Sequence, residues 1–256
     1  MCLLTFIPAG EQPNKKLLEK SCDTNPHGFG YAIINGDQLI IGKSLNAKTL
    51  ISEFMLMRKK YPNGDALFHS RYATHGEVSV SNCHPFMVGK DKKTVLAHNG
   101  ILPVITPKID KRSDTAIFAE DILPLYLNKN GGIDNPAVFS AIEDWSYGSK
   151  MIILTTNKRY KKSSYIFNES SGHWSEGIWW SNYGYLPQSA ITKKTGLIHI
   201  PDYTDECFVC GFINNSDATR CYRCYYCLDC AEYYEECVCE ENPFLEELAR
   251  WNEYEK

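Results

Sequence analysis

The chain has 256 residues, 43% of them hydrophobic, and carries 27 Lys and Arg against 31 Asp and Glu for a net charge of −4. That is enough apolar mass to bury a core, without the basic excess that marks a nucleic-acid binder. No run approaches the roughly 18–20 apolar residues that span a bilayer, and the opening MCLLTFIPAG lacks the basic n-region of a secretion signal, so the expectation is a cytoplasmic protein with no membrane partner.

Short β-rich runs dominate the first two hundred residues. In chain order they are CLLTFI, GFGYAII, QLIIG, ALFHSRYA, TVLAHNG, KMIILTT, SSYIFN and GIWWSN, each rich in branched or aromatic residues and bounded by turn formers. Asn35-Gly36 between the second and third predicts a tight hairpin. Between the third and fourth, Lys48 to Lys60 places Leu50, Ile51, Phe54, Met55 and Met57 on one helical face. Ser113 opens a capped helix that Pro124 should kink or end. Many strands with few interposed helices predict an α+β sandwich over a doubly wound sheet.

Composition breaks near Pro201. Residues 202–256 hold 14 acidic and 4 basic side chains, and eight of the eleven cysteines lie between Cys207 and Cys239. The predicted organisation is a domain over 1–200, a cysteine-rich module over 201–241 and an acidic tail over 242–256. Reduced cytosolic thiols favour metal over disulfides.

Cys2 stands apart from that cluster. A cysteine is ordinarily a small buried hydrophobe. Methionine is trimmed before small side chains, however, and Cys2 would then carry a free α-amine beside its thiol. Such an amine titrates near pH 8 and can serve as general base for its own side chain through a water. Nucleophile and base then come from one residue.

Three further segments bear on this reading: His69-Ser70-Arg71-Tyr72-Ala73-Thr74-His75-Gly76, then Asn82-Cys83-His84-Pro85, then His98-Asn99-Gly100. With Cys2 they resemble the class II glutamine amidotransferases, whose pattern is an N-terminal Cys, H-x-R-x-A-T-x-G, N-x-H-P and H-N-G. The likeness extends from residue 2 to about 190 and is greatest to the short stand-alone versions of bacteriophage genomes. It implies the N-terminal-nucleophile (Ntn) hydrolase fold, an αββα sandwich, and hydrolysis of the glutamine side-chain amide by Cys2. It assigns the oxyanion hole to the Asn99 amide and the Gly100 N–H. Arg71 is assigned to the α-carboxylate, which suits its planar fork, and Asp114 to the α-ammonium. For Asp114 a plain helix cap is the competing reading. Thr74 and His75 belong to the loop over glutamine. His69, His84 and His98 are expected to be structural. Tyr72 stands where one branch of the family has tryptophan. Asn25 to Gly30 resembles the family's glycine-bearing early strand, with no phosphate role assigned.

In the tail, Cys207-x2-Cys210-x10-Cys221-x2-Cys224 has the spacing of a structural zinc site. It resembles a RanBP2-type finger, although Asp205 and Glu206 replace the usual tryptophan. Cys227, Cys230, Cys237 and Cys239 could close a second site, so one or two structural Zn²⁺ are expected and no cofactor for catalysis. A net-negative segment repels phosphate, and nucleic acid is not the expected partner; its tyrosines suit a protein surface. Three readings stay open: ammonia delivery in trans to a synthase or ATP-dependent ligase, plain γ-glutamyl amide hydrolysis, and a zinc-ribbon adaptor on an inactive domain.

Overall fold

A computed structural model describes residues 2–73, 76–104 and 109–186. The cysteine-rich module, its zinc ligands and the acidic tail lie outside the described residues. So do Thr74 and His75.

Among the described residues, ten strands form two antiparallel sheets. The first holds β1 (Leu3–Ile7), β2 (Phe29–Asn35), β3 (Gln38–Ser44), β4 (Ala66–Ser70), β9 (His173–Ser175) and β10 (Ile178–Trp180), in the order β3-β2-β4-β1-β10-β9. The second holds β5 (Phe86–Val88), β6 (Asp91–Asn99), β7 (Lys150–Thr155) and β8 (Ser164–Phe167), in that order. The helices are α1 (Lys15–Thr24), α2 (Ala47–Lys60), α3 (Asp114–Ile117), α4 (Leu123–Asn130) and α5 (Pro136–Trp145).

Strand alternation explains the layering. Leu3 and Ile7 of β1, Phe29, Tyr31 and Ile33 of β2, and Phe68 of β4 pack with Leu18, Leu50, Ile51 and Phe54 of α1 and α2. The alternate residues Leu4, Phe6, Ala32, Leu67 and Trp179 meet Val95, Ala97, Ile152 and Leu154 of the second sheet. On that sheet's far side Leu96, Met151 and Ile153 pack with Phe118, Leu123, Leu127, Val138 and Ile142. Helices therefore cover both outer faces of two stacked sheets, as period-2 patterning with both faces buried requires. This is the expected αββα arrangement. Among the described residues no helix is long and apolar enough to cross a membrane.

The expected strands fall within a few residues of those observed, and Asn35 pairs with Gln38 across a turn in which Gly36 has φ 59°. Two details differ. Pro124 does not end its helix: a π-helical stretch, Phe118–Ile122, joins α3 to α4 just before it, and the Ala119 carbonyl in that stretch accepts from Gly89 N–H at 2.9 Å. Asn-Gly is also a hairpin signal, but Asn99-Gly100 turns none: β7, the next strand and a partner of β6, begins only at Lys150.

Candidate active site

The same alternation assembles one end of the sandwich. Cys2 precedes β1 on the side of Leu4 and Phe6, and Asn99 ends β6 on the side of Val95 and Ala97; both therefore face the space between the sheets. Arg71 lies one residue beyond the end of β4, not within it. Its N–H donates to Gly28 O at 2.7 Å and its carbonyl accepts from His27 N–H at 2.9 Å, so the chain past β4 is held against the start of β2.

Cys2, Arg71, Tyr72, His84, His98, Gly100, Ser113, Asp114 and Thr115 line one cleft of about 20 Å³. That is room for a water-sized group. Cys2 is partly exposed and not in a disulfide. Its Sγ lies 3.4 Å from Tyr72 O and accepts from Tyr72 N–H at 3.3 Å. Burial pushes the thiol pKa up; the Tyr72 backbone, the amino terminus and Arg71 pull it down, and Asp114 opposes them. Arg71 is buried, and one guanidinium N–H donates to Glu77 O at 3.0 Å. Burial lowers its pKa, while Cys2, Cys83 and Asp114 support the charge.

Asp114 is not the helix cap. Ser113 caps α3, its Oγ accepting from Ala116 N–H. Asp114 Oδ2 accepts from Leu102 N–H at 2.8 Å, and Oδ1 accepts the Thr115 N–H at 2.7 Å and hydroxyl at 3.2 Å. A carboxylate offers about four acceptor positions, so capacity remains for a ligand's cation.

The motif histidines form a buried scaffold. His69 stacks on His84 with ring centroids 4.0 Å apart. His69 Nε2 donates to His98 O at 3.0 Å, and His84 Nδ1 accepts from His98 N–H at 3.0 Å. Burial holds His69 neutral, with its pKa pulled down to about 3, and takes His84 well below its ordinary value. His98 Nδ1 reaches Thr115 Oγ1 at 2.9 Å. Gly30, in the glycine-bearing stretch, is a close-approach position: a Cβ there would stand 1.8 Å from His84 O. No three His, Cys, Asp or Glu among the described residues gather as a metal site.

Gly100 has φ 142°, a conformation that L side chains rarely adopt. Asn99 is buried, and its Nδ2 is drawn donating to Ser181 Oγ at 2.9 Å. Ser181 Oγ also accepts Leu4 N–H at 2.9 Å, and Asn182 Nδ2 donates to Cys2 O at 2.9 Å. Ser181 and Asn182, just after β10, thus tie down both the start of β1 and the end of β6. Sequence reasoning missed this pair, since Ser-Asn after a strand carries no signal beyond a turn.

Residues 17–116 match the family model of the class-II glutamine amidotransferases. That match covers 100 of the 256 residues. Similar solved structures include the glutamine phosphoribosylpyrophosphate amidotransferase of B. subtilis, with 15% identity, TM-score 0.41, and coverage of 70% of this chain and 41% of that one. A predicted glutamine amidotransferase from Pseudomonas aeruginosa shows 16% identity, TM-score 0.35, and coverage of 70% and 78%. A class-II domain protein from Silicibacter pomeroyi shows 13%, 0.34, and 70% and 87%. The chain spans about two fifths of the length of the first of these. No curated protein matches the sequence.

Proposed function

We propose that this chain hydrolyses the side-chain amide of glutamine through Cys2 and supplies ammonia to an acceptor enzyme in trans. The observation that carries the reading is the meeting of Cys2, Arg71, Gly100 and Asp114 in one cleft at the end of the inter-sheet space. Opposite charges on Arg71 and Asp114 match the α-carboxylate and α-ammonium of an amino acid, and the Cys2 thiol shares their cleft.

In this reading, removal of whatever precedes Cys2 frees its α-amine. The amine takes the thiol proton through a water. The thiolate attacks the glutamine Cδ, and the oxyanion is received by the Gly100 N–H and the Asn99 amide. Collapse breaks the C–N bond, the ammonium returns its proton to the leaving nitrogen as ammonia, and a thioester remains. Water then cleaves the thioester to glutamate and free thiol. Burial pulls the pKa of His69 and His84 well below 7, which makes both too weakly basic for the general-base role, and in this reading they serve as packing.

The cleft as it stands admits water and not glutamine. The Tyr72 backbone, which contacts Cys2 Sγ, has to move aside before substrate enters. Thr74 and His75 would contact glutamine as this segment closes again. The tail is proposed as a separate structural zinc module, using Cys207, Cys210, Cys221 and Cys224, with Cys227, Cys230, Cys237 and Cys239 available for a second ion; its acidic, tyrosine-rich surface would engage the acceptor.

Glutamate release from glutamine by the wild type and by Cys2→Ala tests the core of the proposal. Activity only in the wild type supports it; equal activity in both refutes it.

A further inference from the structure

Ser181 is eighty residues from the family motifs and outside the matched segment, yet it holds the motif asparagine. As drawn, Ser181 Oγ accepts two hydrogen bonds, from Leu4 N–H and from Asn99 Nδ2. The hydroxyl's own proton then has no acceptor among the described residues. Asn99 Oδ1, fully enclosed, has no partner among the described residues either. A buried acceptor and a buried donor side by side, both unsatisfied, are costly.

One rotation pairs these two groups and leaves a single one open. The two ends of an amide are assigned from hydrogen bonding and not from density or shape. Turned by 180°, Asn99 Oδ1 accepts the Ser181 hydroxyl proton, while Ser181 Oγ keeps the Leu4 N–H. The amide NH₂ then occupies the place of the orphaned oxygen, with both its donors unspent. Asn99 shares the inter-sheet side of β6, the side on which Cys2 lies across the sandwich. In the glutamine-hydrolysis reading, this open donor, next in sequence to the cleft-lining Gly100, is the one that the developing oxyanion takes up.

We infer that Ser181 is a positioning residue: its hydroxyl fixes the Asn99 amide with the nitrogen turned away from Ser181, which leaves that donor for the oxyanion. This rests on the glutamine-hydrolysis reading and adds to it a residue that no motif contains. An oxyanion contact acts in the transition state and not on bound substrate, so the effect belongs to kcat and not to KM.

The test is a double-mutant cycle on glutamate release with Ser181→Ala, Asn99→Ala and both. Ser181→Ala should lower kcat about tenfold or more with KM within about twofold; outright loss of an oxyanion donor costs about 10²–10³-fold. In the Asn99→Ala background the same change should lower kcat less than about twofold, because its effect runs through Asn99. Ser181→Thr, which keeps the hydroxyl, should restore most of the rate. A purely structural Ser181 would give equal losses in both backgrounds, and that result overturns the inference. Should Ser181→Ala not fold, Ser181→Cys, with a weak donor of similar size, takes its place in the cycle. A wild type without glutaminase activity defeats the functional reading itself. An active wild type that needs Asn99 but shows no coupling to Ser181 defeats only this inference.

Discussion

Gly100→Ala offers the most quantitative test of the site's construction. An added Cβ would stand 2.3 Å from Ser149 Oγ, 2.8 Å from its Cβ and 2.9 Å from its Cα. Ser149 has nowhere to retreat. It is buried, its N–H donates to Ser146 O at 2.8 Å, its carbonyl accepts from Asn168 Nδ2 at 2.8 Å, and its hydroxyl donates to Ile101 O at 3.1 Å. Overpacking of this kind costs about 1–3 kcal/mol, and a φ of 142° in a residue with a Cβ adds about 1–3 kcal/mol. The sum, roughly 4 kcal/mol, lowers the melting temperature by on the order of 10 °C for a domain of this size. Urea unfolding measures it. In a Ser149→Gly background the Oγ and Cβ clashes vanish, so the penalty of Gly100→Ala should shrink by about half while the backbone share persists. A loss below about 1 kcal/mol in the wild-type background would refute both the contact and the strain.

Arg71→Lys should reduce kcat/KM for glutamine roughly ten- to hundredfold, the equivalent of ~1.5–3 kcal/mol, since one ammonium cannot reproduce the guanidinium fork; unchanged kinetics would place the carboxylate elsewhere. Stability should depend on pH through the buried histidines. His69 titrates at about 3 in the folded protein and near 6.5 when unfolded, so the unfolded chain binds more protons between those values. The unfolding free energy should therefore decline as pH falls from about 6.5 towards 3, and His69→Gln should flatten that slope in a urea-unfolding series. Metal analysis of the full chain should find one or two zinc ions, lost on Cys207→Ser/Cys210→Ser; a metal-free, disulfide-linked tail would overturn the zinc reading.

Much of the fold was legible because both sheets are buried on both faces, which forces the branched and aromatic runs that mark β1, β2, β4, β6 and β7. Helices α1 and α5 were overlooked although Asn14 and Asn135 cap them. α1 buries only Leu18, Ser21 and Cys22, too few apolar positions for a period to stand out. β5 and β9 have three residues each and, unlike the equally short β10, neither is buried throughout, so no apolar run marks them. Pro124 was misjudged because a π-helical stretch is a tertiary accommodation with no local signature. At the site, Arg71, Asn99, Gly100 and Asp114 could be read from motifs. Ser181 and Asn182 could not, since their partners Leu4, Asn99 and Cys2 lie 82 to 180 residues away and only the folded sandwich brings them together.

The central claim is that Cys2 forms a thioester with the glutamyl group. Mass spectrometry of protein mixed with glutamine and quenched in acid reads this directly. The account predicts a chain that begins at Cys2, with one glutamyl unit attached to that residue and absent from Cys2→Ala. Active protein that retains residues before Cys2, or carries the glutamyl unit on another side chain, would contradict it.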